Sequence, residues 1–194
     1  MTRRLTFTLV PALLLALAGG AVAQTIGEPE RFTAFAVNMG SIGRGGANTV
    51  TIEIERWSTE AERDALIKAF QEKGPDGLLK ALQKTKRVGY MRLPNSLGYD
   101  LRFARQVPGE DGGRRIVIAT DRRIGFEEAR QQARTMDYPF NLTEIRFNAQ
   151  GEGEGRMAVA TKITYNKEKQ VLELENYSSE PLRLTTVRAE KIKK

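Results

Sequence analysis

The sequence predicts an α+β fold that is mainly antiparallel β, with about nine short strands and one inserted α-hairpin. The strands close into a barrel or meander through two packed sheets. Three observations carry this reading. Apolar residues alternate with polar ones through most segments between Phe32 and Arg188. Turns rich in Gly, Pro and Asn separate those segments by a few residues each, which suits antiparallel neighbours. The apolar period lengthens to that of a clear amphipathic helix only over residues 59–84.

Phe32 to Met39 reads as the first strand, followed by a glycine-rich loop from Gly40 to Gly46. In Asn48 to Trp57, Val50, Ile52 and Ile54 share one face and Thr51, Glu53 and Glu55 the other. Strict alternation would then turn Trp57 away from that apolar face. Thr59-Glu60-Ala61-Glu62 is a capping box, in which hydroxyl and carboxylate satisfy orphan amides at a helix start. Ala65, Leu66, Ala69 and Phe70 follow at helical spacing, and Gly74-Pro75 stops the helix. Asp76 opens a second short run with Leu78 and Leu82 on its stripe. Leu66, Phe70, Leu78 and Leu82 are the expected anchors of this hairpin.

Arg87 to Leu93 and Leu97 to Val107 return to strand chemistry, with Tyr99, Leu101, Phe103 and Val107 expected on one face. Arg114 to Thr120 is apolar on both faces at Ile116-Val117-Ile118-Ala119, the pattern of a strand covered on both sides. Residues 126–136 favour helix by composition but lack an apolar stripe. Tyr138 to Asn148 shifts its apolar parity between Leu142 and Ile145, which predicts a β-bulge. Gly151 to Gly155 reads as a turn with too few acids for a calcium loop. Met157–Tyr165, Val171–Tyr177 and Leu182–Arg188 complete the strands.

Residues 1–23 read as a signal peptide. Arg3 and Arg4 form a positive n-region, Phe7 to Ala18 an apolar core, and Ala21-Val22-Ala23 a cleavage motif. A polar leader (24–31), one β-rich domain (32–190) and a basic tail (191–194) follow. The expected location is periplasmic or extracellular. Removing the signal peptide takes two arginines and no acids, so the net charge becomes (31 − 2) − 24 = +5. That excess is dispersed, which argues against a nucleic-acid partner. No segment after the leader is apolar enough to span a bilayer.

The chain has no Cys and no His, so disulfides, thiol or Ser-His-Asp catalysis and Cys/His zinc sites are excluded. No metal or cofactor motif is present in the sequence. The glycines of residues 40–46 lead into a strand rather than a helix, which does not suit a phosphate cradle. Glu53 with Glu55, and Glu173 with Glu175, fall about 6.5–7 Å apart along a strand. That overlaps the separation of paired glycosidase carboxylates, but acids alternating with Val, Ile or Leu are also the ordinary pattern of a solvent face.

Four strings, Arg56–Arg63, Gly98–Arg102, Arg115–Arg122 and Leu172–Tyr177, resemble a family of small secreted bacterial hypothetical proteins of unknown function. The resemblance implies export from a bacterial cell. It carries over no site residue.

No catalytic residue is assigned from the sequence. Trp57, Tyr99, Arg102, Asp121 and Arg122 are the candidate ligand-binding residues. Aromatics supply contact area, and charged residues at strand ends lie where loops build sites. The sequence best suits a non-catalytic module for a small ligand, a glycan or an envelope protein. The alternative is a secreted hydrolase working through Asp and Glu.

Overall fold

The computed structural model describes residues 27–37, 48–93, 98–109, 112–122, 140–159, 163–167, 171–174 and 182–192. The leader (1–23), the loop at 40–46 and the stretch at 126–136 therefore lie outside the described residues.

The fold is a closed antiparallel barrel, which decides between the barrel and the two-sheet arrangement. Its strands are β1 (Glu30–Val37), β2 (Asn48–Ile54), β3 (Gly89–Arg92), β4 (Tyr99–Pro108), β5 (Arg114–Thr120), β6 (Asn141–Phe147), β7 (Gly153–Val159) and β10 (Leu182–Lys191). They run up and down in chain order, and β10 closes the ring between β7 and β1. Closure leaves the barrel wall no free edge for another chain to pair with. β8 (Ile163–Asn166) and β9 (Val171–Leu174) form a separate hairpin between β7 and β10. The expected ninth-strand count thus becomes ten described strands, because Met157–Tyr165 divides into the end of β7 and all of β8.

Period-two patterning sets the wall. Phe32, Ile52, Leu101, Ile116, Ile145 and Leu184 point inward and are fully buried in one apolar core. The outward positions carry ion pairs: Arg31 to Glu53 and Arg115 to Glu144 across strands at 3.0 and 3.7 Å, and Arg146 to Glu144 along β6 at 2.9 Å. This apolar-in, charged-out alternation is opposite to that of a barrel wall facing lipid. No described helix is long and apolar enough to cross a membrane.

Gly153 and Gly155, expected in a turn, belong to β7. A Cβ on Gly153 would sit 2.5 Å from the Phe147 ring, so glycine there lets the strand close on the core. The turn itself is shorter, with Gly151 at φ +82° and the Asn148 side chain accepting from the amides of Gln150 and Glu152.

The helical insert is α1 (Glu60–Lys84). Its capping box forms as the sequence predicts: Thr59 Oγ1 accepts from the Glu62 amide at 3.1 Å, and Glu62 Oε2 accepts from the Thr59 amide at 2.9 Å. The helix breaks at Lys73 and Gly74, where Gly74 takes φ +60°, and resumes at Pro75. The second run folds back on the first so closely that a Cβ on Gly77 would strike the Ala69 carbonyl. Leu66, Leu78 and Leu82 from the two runs share a second apolar cluster with Ala119 and Phe140. Phe70 is only partly buried there.

That second cluster sits outside the barrel wall, and it explains two departures from expectation. The pairing of β4 with β5 shifts register between Leu101 and Phe103. Leu101 and Ala104 therefore face the barrel core, while Phe103 packs toward α1. β6 contains no bulge, since its register is regular against both neighbours. Leu142 is apolar on the outward face because α1 covers it.

Candidate functional site

Four of the five sequence-predicted site residues come together at one end of β4 and β5. The Arg102 guanidinium donates from Nε to Asp121 at 2.8 Å, from Nη2 to Asp100 at 3.2 Å and from Nη1 to the Thr85 carbonyl at 3.3 Å. Thr85 is the C-cap of α1. Arg102 thus ties the helix end to two strand ends, and all three contacts are internal. Beside it, the Arg122 guanidinium lies 5.7 Å from the Tyr99 ring centroid, a cation–π contact.

Trp57 stands apart. β2 ends at Ile54, so alternation no longer governs its direction. The indole is buried in the barrel core and donates from Nε1 to the Glu28 carbonyl at 3.0 Å. Next to it, Ser58 exchanges hydrogen bonds with the Ala104 backbone, which seats residues 57–58 against β4.

Glu53 and Glu55 are both engaged, while the Glu173 side chain lies outside what the structure describes. Glu53 is desolvated, which by itself raises its pKa. Hydrogen bonds from Tyr90 at 2.8 Å and Arg31 at 3.0 Å together outweigh that and hold it below the usual carboxylate range. Glu55 accepts from Arg87 at 3.0 Å. A general acid needs the opposite, a carboxyl kept protonated near neutrality. Glu175 lies outside the described residues. Among the described residues no three acidic side chains converge as a cation would require.

Two openings among the described residues are large enough to consider. At the barrel end near the β4–β5 turn is a broad cleft of mixed polar and apolar lining, about 980 Å³ in volume. One of its lining residues, Arg114, is committed to Glu30 at 2.9 Å and to Gln106 at 2.8 Å, with its guanidinium over the Phe147 ring at 4.8 Å. The second opening is smaller and apolar, an indentation of about 220 Å³ between α1 and the outer faces of β4, β5 and β6. Its apolar walls include Leu66, Leu78 and Leu82 from α1 and Phe103, Val117 and Leu142 from the strands. Arg63, Arg105 and Arg115 also line it, and among the described residues no acid does.

The register orders this groove. Phe103 pairs with Ala119, which pairs with Leu142, giving an apolar row across three strands. Two residues along, Arg105 pairs with Val117, and beyond that Val107 pairs with Arg115. The groove therefore runs from an apolar end to a cationic one. None of the five sequence-predicted site residues lines it. The signal that could have found it was the doubly apolar β5 together with outward Phe103 and Leu142.

Neither a scan against protein-family models nor searches of curated proteins and solved structures find a match to this chain.

Proposed function

We propose that this chain is an exported, non-catalytic binding module that takes a small apolar ligand in the groove between α1 and the barrel wall. The observation that carries the reading is the apolar lining of that groove, which continues a buried cluster rather than a solvent face. Ligand sites are concave and mostly apolar with a few convergent polar groups, and this groove has that composition. Its volume of about 220 Å³ exceeds the roughly 150 Å³ cavity that accommodates benzene. A glycan would call for polar side chains along the walls, so the lining favours an apolar ligand over a sugar. Export is supported by the residue 1–23 pattern and by the resemblance to secreted bacterial proteins.

The direct test is titration with N-phenyl-1-naphthylamine, a neutral probe that brightens in apolar surroundings. Saturable binding at one site per chain is expected, and Ala119→Phe, which fills the groove, should abolish it while the protein stays folded. Unsaturable binding, or binding indifferent to Ala119→Phe, would remove the groove as the site. A hydrolase screen is the contrasting measurement: turnover lost on substituting one carboxylate would replace this reading with an enzymatic one. Protein recovered from a bacterial envelope should begin at Gln24, and recovery with Met1 intact would overturn the export reading.

A further inference from the structure

We infer that the groove selects ligands ending in a carboxylate, a medium-chain fatty acid, and that Arg105 reads the headgroup. The inference rests on the groove being the binding site and names what it takes. Three observations support it.

The first is the polarity of the groove. Among the described residues its charged lining is entirely arginine: the β4–β5 register places Arg105 and Arg115 toward one end, α1 adds Arg63, and Phe103, Ala119 and Leu142 form the other end. An aliphatic chain with one anionic end matches that gradient. A neutral chain leaves the cationic end unanswered, and a cationic amphiphile is repelled there.

The second is the state of Arg105 itself. Its Nη1 and Nη2 lie 3.2 and 3.1 Å from the Glu60 carboxylate at the helix start. Its Nε–H is buried and has no hydrogen-bond partner among the described residues. A buried donor left unsatisfied costs about 1–3 kcal/mol. A carboxylate oxygen entering the groove would answer it with a charge-assisted hydrogen bond.

The third is the disposition of the other two arginines. Arg63 donates to Asp64 at 2.7 Å, and Arg115 reaches Glu144 at 3.7 Å. Both acids, like Glu60, lie outside the groove lining, so among the described residues the guanidinium groups are the charged groups that a ligand in the groove meets. Burial also lowers the pKa of Arg105, chiefly by desolvation. A desolvated guanidinium gains more from a ligand anion than an exposed one does.

The size sets the ligand length. About 220 Å³ suits a short aliphatic chain rather than a diacyl lipid. Octanoate and octanol are matched in length and differ in the headgroup, so they isolate its contribution. The experiment is displacement of N-phenyl-1-naphthylamine from the full chain by octanoate, octanol and octyltrimethylammonium. Octanoate should compete about tenfold more tightly than octanol, the increment expected of one charge-assisted hydrogen bond. Octyltrimethylammonium should be weakest. In Arg105→Gln the octanoate advantage should disappear with octanol displacement unchanged, and Arg105→Lys should restore part of it.

Equal competition by octanoate and octanol would overturn the headgroup inference and leave the groove reading standing. So would an octanoate preference that survives Arg105→Gln, or tighter binding of the cationic amphiphile. If the probe does not bind at all, the groove reading fails first. Should Arg105→Gln not fold, the wild-type comparison with Arg105→Lys still decides the matter.

Discussion

Arg56 holds Glu62 through two hydrogen bonds of 2.9 Å, one to each carboxylate oxygen, and that same carboxylate caps the Thr59 amide at 2.9 Å. One side chain therefore closes the helix start and ties it to the segment leaving β2. Arg56 also donates to the Lys86 carbonyl at 3.0 Å, just past the other end of α1. The insert is consequently fastened at both ends by one arginine, while Arg102 fastens the Thr85 cap to the strands.

The first prediction concerns acid. The Arg56 hydrogen bonds hold the Glu62 pKa below the usual carboxylate range. Its stabilisation is present above the unfolded pKa and is lost as pH falls through the folded one. Glu53 behaves in the same sense. Melting temperature should therefore fall as pH drops below the ordinary carboxylate range, and Glu62→Gln should flatten part of that fall. Gln can still cap Thr59, so the comparison isolates the ion pair. An unchanged pH profile in Glu62→Gln would show that the pair contributes nothing. Thr59→Ala removes the cap itself and should cost about 1 kcal/mol at neutral pH.

A second prediction uses the single tryptophan. Trp57 is buried, and Gly27 lies against it so closely that an added Cβ would sit 2.7 Å from Nε1. Native emission should be blue-shifted and should move to the red on unfolding. Gly27→Ala should destabilise by about 1–3 kcal/mol through overpacking. Native emission at the fully solvated wavelength would contradict the burial.

The barrel was legible because period two survives in nearly every wall strand. The capping box and the Gly74-Pro75 break were legible because each has a local chemical signature. The groove was not, because its signal is spread over β4, β5 and β6 and depends on a register shift between Leu101 and Phe103. Outward Leu142 resembles a strand irregularity until the covering helix is known. Gly153 suggested a turn because the Phe147 ring that requires a glycine there is six residues away, across the β6–β7 pair. Arg102 on the polar face of its strand and Asp121 at the end of the next were singled out as ligand contacts, and in the structure their side chains pair with one another.

A third prediction separates the anchors of α1. Leu82 is 1% exposed, so Leu82→Ala should cost about 2–5 kcal/mol. Phe70 is only partly buried, and Phe70→Ala should fall below the roughly 3–5 kcal/mol of a fully packed phenylalanine. Denaturant midpoints of the two variants give the comparison directly. A larger loss at Phe70 than at Leu82 would place the main anchor in the first run of α1 instead of the second.

The last prediction concerns Thr186, which takes φ +51° inside β10. The pairing of β10 with β7 shifts register between Leu184 and Val187, and that with β1 between Thr33 and Phe35, opposite the same stretch. The positive φ therefore sits in an irregularity flanked on both sides by regular pairing. A β-branched side chain is poorly suited to that region, where the left-handed conformation costs about 1–2 kcal/mol. Thr186 is exposed, so its side chain gains little from packing to offset the strain. Asn tolerates the conformation without the extra unfolded-state entropy of Gly. Thr186→Asn should therefore raise stability by about 0.5–1 kcal/mol, read as a higher denaturant midpoint with unchanged slope. Thr186→Gly should gain less than Asn, because the relief of strain is partly cancelled by backbone entropy. A loss of stability in both variants would mean that the threonine side chain holds the bulge in place, and strain relief would no longer describe this position.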